Sequence, residues 1–171
     1  MIPRITATLA ALACSSAVTA ATFMDDDWAS AACAAWNNTP TLTNELGGAA
    51  WAANDAGRGF KIIQLYRGKC GAASKVELEI SNQDGKAHCA RGGTVKHSQL
   101  DPKVDYLMYA SDEDWACMGQ GSFGCGAMGA MMTGKLKFQG PKGEAMSVMG
   151  PFDSFLLLTG KVPGDTSSCP K

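Results

Sequence analysis

Histidine is scarce, with only His88 and His97, and no two cysteines stand at C-x-x-C spacing. Each shortage closes off a class of function. Without C-x-x-C there is neither a thioredoxin-type redox pair nor a zinc knuckle, and without C-x-x-C-H no covalently held haem. A hydrolytic nucleophile needs a histidine base. His88 lies in a strand-like segment beside Cys89 and His97 in a polar loop, and each reads as an ordinary surface or satisfied histidine. Ser122 is no nucleophile elbow, because Gln120 stands where G-x-S-x-G requires glycine. An exported hydrolase is kept only as an alternative. Excess charge of one sign is lacking too, with 15 Lys and Arg against 16 Asp and Glu. No face gathers basic residues with interleaved aromatics, which excludes a nucleic-acid footprint, and there is no polybasic membrane anchor. No repeat or linker divides the 171 residues, so a single α+β domain is expected.

What the chain does have begins with Met1 to Arg4, a short positive start, followed by the apolar run Ile5 to Ala13 and the small residues Val18-Thr19-Ala20. The run is shorter than the about 20 residues a spanning helix needs. Residues 1–20 therefore read as an export signal that is removed, with a buried amino-terminal helix as the alternative. Cys14 follows Ala11-Leu12-Ala13, a poor acylation box, so a lipoprotein is not expected. The six cysteines that follow are Cys33, Cys70, Cys89, Cys117, Cys125 and Cys169. An even number in an exported chain favours disulfides over free buried thiols. Connectivity is open; the sequence leans toward Cys70–Cys89, Cys117–Cys125 and Cys33–Cys169.

Trp28, Ala32 and Trp36 recur every four residues after Asp25-Asp26-Asp27, which places acids at the positive end of an amphipathic helix. A calcium reading of that triplet fails for want of a later glutamate at loop spacing. A weaker helix is expected from Thr43 to Asn54, interrupted by Gly47-Gly48. FKIIQLYR and KVELEIS then switch to period two, the second with Val76, Leu78 and Ile80 inward and Glu77 and Glu79 on a wet face. Asn82 to Gly85 turns into KAHCARG as a hairpin partner, and VDYLMYA makes a fourth strand. Ser111 to Asp114 caps a short helix holding Trp115. Lys135 to Gln139 alternates as a fifth strand, Glu144 to Met149 is undecided between helix and strand, and a last helix opens at Pro151 and stops at Gly160.

Two nucleotide motifs are mimicked. Gly129 to Lys135 satisfies G-x-x-x-x-G-K, but Leu136 stands where a hydroxyl would hold magnesium, and the strand follows the lysine when it should precede the glycines. Gly124, Gly126 and Gly129 fit the dinucleotide fingerprint without the β-α-β unit that gives it meaning. More informative are the six methionines between residues 118 and 149: Met118, Met128, Met131, Met132, Met146 and Met149. Unbranched and adaptable, methionine suits surfaces that receive varied apolar partners. An ordinary loose core explains that composition equally well.

Gly134-Lys135-Leu136-Lys137-Phe138-Gln139-Gly140, followed by Gly143-Glu144-Ala145-Met146 and preceded by SDEDWACMGQG at 111–121, resembles the sterol carrier protein 2-like family over about residues 59–160. The resemblance implies a five-stranded, largely antiparallel sheet with helices packed on one face. It also implies an apolar tunnel between them for a sterol, fatty acid or acyl chain, with no catalysis and no cofactor. On this basis the chain divides into the signal 1–20, a helical extension 21–58, the lipid-binding domain 59–160 and a tail 161–171. Pattern and position nominate Trp115, Phe123, Met128, Met132, Phe138, Met146, Met149 and Phe155 as the tunnel wall. A sixteen-carbon chain buried there gains on the order of 10 kcal/mol before ordering costs. The expected protein is exported, periplasmic or secreted, binds a hydrophobic small molecule and makes at most transient contact with a membrane. The alternative is an accessory subunit whose methionine patch meets a partner protein.

Overall fold

In a computed structural model the described residues are 21–171; the expected export signal lies outside them. Asp25 caps α1 (Asp26–Asn37), its carboxylate accepting from the Trp28 amide at 2.7 Å and from the Thr22 amide at 2.7 Å. Asp26 and Asp27 occupy the first turn, so the acid triplet serves the helix start. Trp28, Ala32 and Trp36 are buried on one stripe, as their spacing requires. The weaker helix expected next divides into a π-helical turn, Thr41–Glu45, and α2 (Ala50–Ala53). Gly47 sits at the break because the turn at Asp84-Gly85 presses on it: a Cβ there would lie 2.3 Å from the Gly85 carbonyl oxygen.

The sheet consists of β1 (Phe60–Arg67), β2 (Val76–Gln83), β3 (Lys86–Thr94), β4 (Tyr106–Ala110) and β5 (Lys137–Gln139) in the order β3-β2-β1-β4-β5. Three pairings are antiparallel and β1–β4 is parallel. The parallel pair follows from the path of residues 95–105, which leave the β3 edge and cross β2 and β1 before entering β4. Register puts Ile63, Leu78, Tyr106 and their alternates on one face, and that face carries the helices. The crossing segment covers the other. β5 is shorter than the expected strand, because the Leu136 amide turns away to the Ala130 carbonyl at 3.0 Å.

The crossing segment overturns the wet face expected for β2. Glu77 is fully buried. It accepts from Gln64 Nε2 at 3.1 Å and the His97 amide at 3.1 Å, meets His97 Nδ1 at 2.9 Å and pairs with Arg91. Burial pushes the Glu77 carboxyl upward, but the hydrogen bonds from His97 and Gln64 outweigh it and hold the group below its ordinary value.

On the helical face, α3 (Asp112–Gly119), α4 (Ala127–Met132), α5 (Lys142–Ser147) and α6 (Met149–Lys161) complete the layer. The undecided segment before α6 is therefore helical. Gly160 does not stop α6, which runs on to Lys161. It is glycine because α3 crosses there, and a Cβ on Gly160 would stand 2.3 Å from the Gly119 carbonyl oxygen.

The disulfides are Cys33–Cys89, Cys70–Cys169 and Cys117–Cys125. The last is the expected pair, whereas the other two exchange the partners the sequence suggested. α1 lies directly on β3, which brings Cys33 to Cys89 with a Cα separation of 5.4 Å. The tail is clasped by buried Arg67, which donates to the Thr166 and Ser168 carbonyls at 2.6 Å each and leaves Cys169 beside Cys70.

Candidate ligand site between sheet and helices

The inward faces of β1 and β4 contribute Ile63, Tyr106 and Met108, and four helical segments close over them with Trp36, Trp51, Ala145 and the α6 rings Phe152 and Phe155. They surround a hollow of about 40 Å³ whose lining is almost wholly apolar. The aromatic rings form a connected wall. Trp51 stacks on Tyr106 at 6.1 Å between centroids, Tyr106 meets Phe138 edge-on at 5.5 Å, and Phe138 meets Phe152 at 5.8 Å. Trp36 reaches Phe155 at 5.8 Å. Such offset and edge contacts are favourable arrangements for aromatic pairs.

One end of this wall is polar. Lys61, almost fully buried, lies 4.7 Å from the Trp51 ring and 5.4 Å from the Tyr106 ring. Its ammonium bonds Glu144 at 2.6 Å and the Asn54 carbonyl at 2.9 Å. Burial lowers the Lys61 pKa, with Glu144 opposing the shift. The Tyr106 hydroxyl is buried without a hydrogen-bond partner, and burial, reinforced by the Glu144 charge, pushes its pKa up.

On the outer side of Phe138 a groove runs between α4, β5 and α5. Its walls are Tyr109, Met128, Met131, Met132, Leu136, Lys137, Lys142 and Met146, with Phe138 as its floor. Phe138 thus belongs to both spaces, half-buried between them.

Of the residues nominated from sequence, Phe138 and Phe155 line the hollow, while Met128, Met132 and Met146 line the groove together with Phe138. Trp115 is buried elsewhere, donating from Nε1 to the Tyr66 carbonyl at 3.2 Å. Phe123 is fully exposed, and Met149 packs half-buried against the core without lining either space. Missing from that set were Trp36, Trp51, Tyr106 and Met108. The period-two pattern of VDYLMYA carried a signal for Tyr106 and Met108. Trp51 lay on a helix too broken to show a face. In place of the open tunnel that the family resemblance implied there is only the small hollow, narrowed by the bulky rings of Trp36, Trp51, Phe152 and Phe155.

One polar cluster bears on other chemistries. Ligand atoms of Glu77, Glu79 and His97 lie within 4.8 Å of one another, but the Arg91 guanidinium already neutralises Glu77 and would repel a dication. His97 is engaged with that carboxylate on the sheet face opposite the hollow.

A model of the SCP-2 sterol transfer family matches residues 63–153, more than half of the chain, and the chain belongs to that family. Among solved structures, a crystal structure of sterol carrier protein 2 is 16% identical, with a TM-score of 0.48, covering 82% of this chain and 98% of its own. A conserved hypothetical protein of Thermus thermophilus, solved in solution, is 19% identical with a TM-score of 0.45, covering 87% and 97%. Sterol carrier protein 2 from Yarrowia lipolytica is 17% identical with a TM-score of 0.37, covering 74% and 88%. No curated protein sequence matches the chain.

Proposed function

We propose that the protein is an exported, non-catalytic carrier that holds one apolar lipid, a fatty acid, acyl chain or sterol, between the sheet and the helices. The observation that carries this reading is the position of Phe138, a single ring separating an apolar hollow from a methionine-lined groove. Family membership supports lipid transfer as the role, and three disulfides among the described residues support an oxidising destination. On this reading residues 59–160 hold the ligand, residues 21–58 lend Trp36 and Trp51 to its enclosure, and residues 161–171 are a tethered tail.

A hollow of about 40 Å³ has room for a few waters on the scale of about 10–15 Å³ each, so a lipid enters by moving its walls. Phe138 and the methionines of the groove are suited to that. The half-buried ring meets Tyr106 edge-on and Phe152 at a tilt, and methionine repacks at small cost. α5 is short and joined to α6 through Val148, whose backbone leaves helical geometry at φ −127° and ψ 41°. Rotation at that junction widens the space beneath Ala145.

The exposed methionines also support a second reading, an accessory subunit that meets a partner protein through the groove. Native mass spectrometry of protein purified from its host separates the two. A lipid-sized adduct is expected; an adduct-free mass together with a tightly bound protein overturns the carrier reading in favour of the subunit.

A further inference from the structure

Every large hydrophobic residue exposed among the described residues, Phe123, Met128, Met132 and Met146, falls within one stretch of 24 positions, 123–146. The folded chain gathers them. Met128 and Met132 lie one turn apart on α4 and face Met146 of α5 across the groove. Phe123 projects from the loop closed by Cys117–Cys125, and that loop rests on α4: a Cβ on Gly129 would lie 2.7 Å from the carbonyl oxygen of Gly124, the residue after Phe123. The only charged residues lining the groove are Lys137 and Lys142, and neither enters an ion pair among the described residues.

We infer that this face docks on the surface of an anionic phospholipid bilayer, with Phe123 and the methionines entering the acyl boundary and the two lysines meeting lipid phosphates. A protruding, fully exposed ring and mobile thioethers need no complementary pocket when the partner is fluid. A second copy of this chain fits poorly, because a symmetric contact would double the unpaired positive charge. Strand addition along β5 fits poorly as well, since that edge offers three residues and one of them is Lys137. With 15 basic against 16 acidic residues overall, the attraction belongs to this face and not to the molecule as a whole. The bilayer as the source of the ligand rests on the carrier reading; the docking itself does not.

The test is flotation of the purified, disulfide-intact protein with phosphatidylglycerol–phosphatidylcholine vesicles and with pure phosphatidylcholine vesicles, beside uptake of a fluorescent fatty acid in vesicle-free solution. Binding is expected on the anionic vesicles, weakening as salt rises. The doubly exchanged Lys137→Glu, Lys142→Glu protein and the Phe123→Ser, Met132→Ser protein should each partition at least about tenfold less. All four side chains are exposed or at a groove wall, so circular dichroism should report intact folds. Wild-type protein that fails to float on anionic vesicles, or substitutions that leave flotation unchanged, overturns the docking surface. A wild-type dimer that Met132→Ser converts to monomer overturns it in favour of self-association. Uptake without flotation refutes the docking alone, whereas flotation without uptake supports docking and refutes the carrier.

Discussion

The Phe138 ring stands edge-on to that of Tyr106 at 5.5 Å, on the short edge strand whose register pairs Phe138 with Met108. One side chain therefore carries the partition between interior and groove. Removing it should change the rate of exchange more than its extent. For Phe138→Ala, association and dissociation of a fluorescent fatty acid measured by stopped flow should both quicken by about tenfold. Because the ring is only half-buried, the stability cost should stay near about 2 kcal/mol, below that of a fully enclosed phenylalanine. Unchanged rates in a folded variant would show that ligands do not pass this ring.

Filling the hollow makes a complementary test. Ala145 faces the space from α5, so Ala145→Phe places a ring where the lipid tail would sit. Uptake should fall below detection, at a stability cost of about 1–3 kcal/mol. Normal affinity in this variant would place the binding site elsewhere.

Lys61 and Glu144 define a second kind of dependence. Glu144→Leu leaves a buried ammonium without its carboxylate, and a loss of about 3–5 kcal/mol is expected in urea unfolding. Adding Lys61→Met to that variant should restore most of it. If the double variant is no more stable than the single, the pair is not acting through buried charge.

Asp112 contributes to the acid limb of stability, as do the depressed carboxylates Glu77 and Asp105. Arg67 and then Lys69, bonding the Asp112 carboxylate, bring its pKa down from 3.8 to about 2. A depressed carboxylate stabilises the fold above its unfolded pKa, and that contribution disappears as pH falls from about 4 through 2. The shift corresponds to on the order of 2 kcal/mol at neutral pH. Unfolding at pH 6 and pH 2.5 should differ less for Asp112→Asn than for the parent protein, and an equal difference would exclude this carboxylate as the cause.

Thiol titration under denaturing conditions should find no free sulfhydryl among Cys33, Cys70, Cys89, Cys117, Cys125 and Cys169 before reduction and six afterwards. Equal values before and after would contradict the disulfides.

The strands were legible because period two is a strong local signal in FKIIQLYR, KVELEIS and VDYLMYA, and α1 because its tryptophans repeat on one stripe. The burial of Glu77 was not, since alternation says which residues share a face but not what later crosses it. The methionines announced an apolar surface, yet their side of Phe138 depends on how α4 and α5 pack. Trp36 and Trp51 join Tyr106 and Phe155 only through the tertiary fold. Disulfide partners were hidden for the same reason: the sequence leaned toward Cys70 with Cys89 and Cys33 with Cys169, while α1 packing on β3 joins Cys33 to Cys89.

Cys70 and Cys169 are 99 residues apart in sequence, and that interval orders events during biogenesis. On the export route proposed above, the chain would present Cys70 and then Cys89 to oxidants well before Cys169 emerges, so a premature bond between the early pair would be the natural error. Native pairing then requires an exchange catalyst or a redox buffer, and heterologous production in a compartment lacking both should yield shuffled isomers.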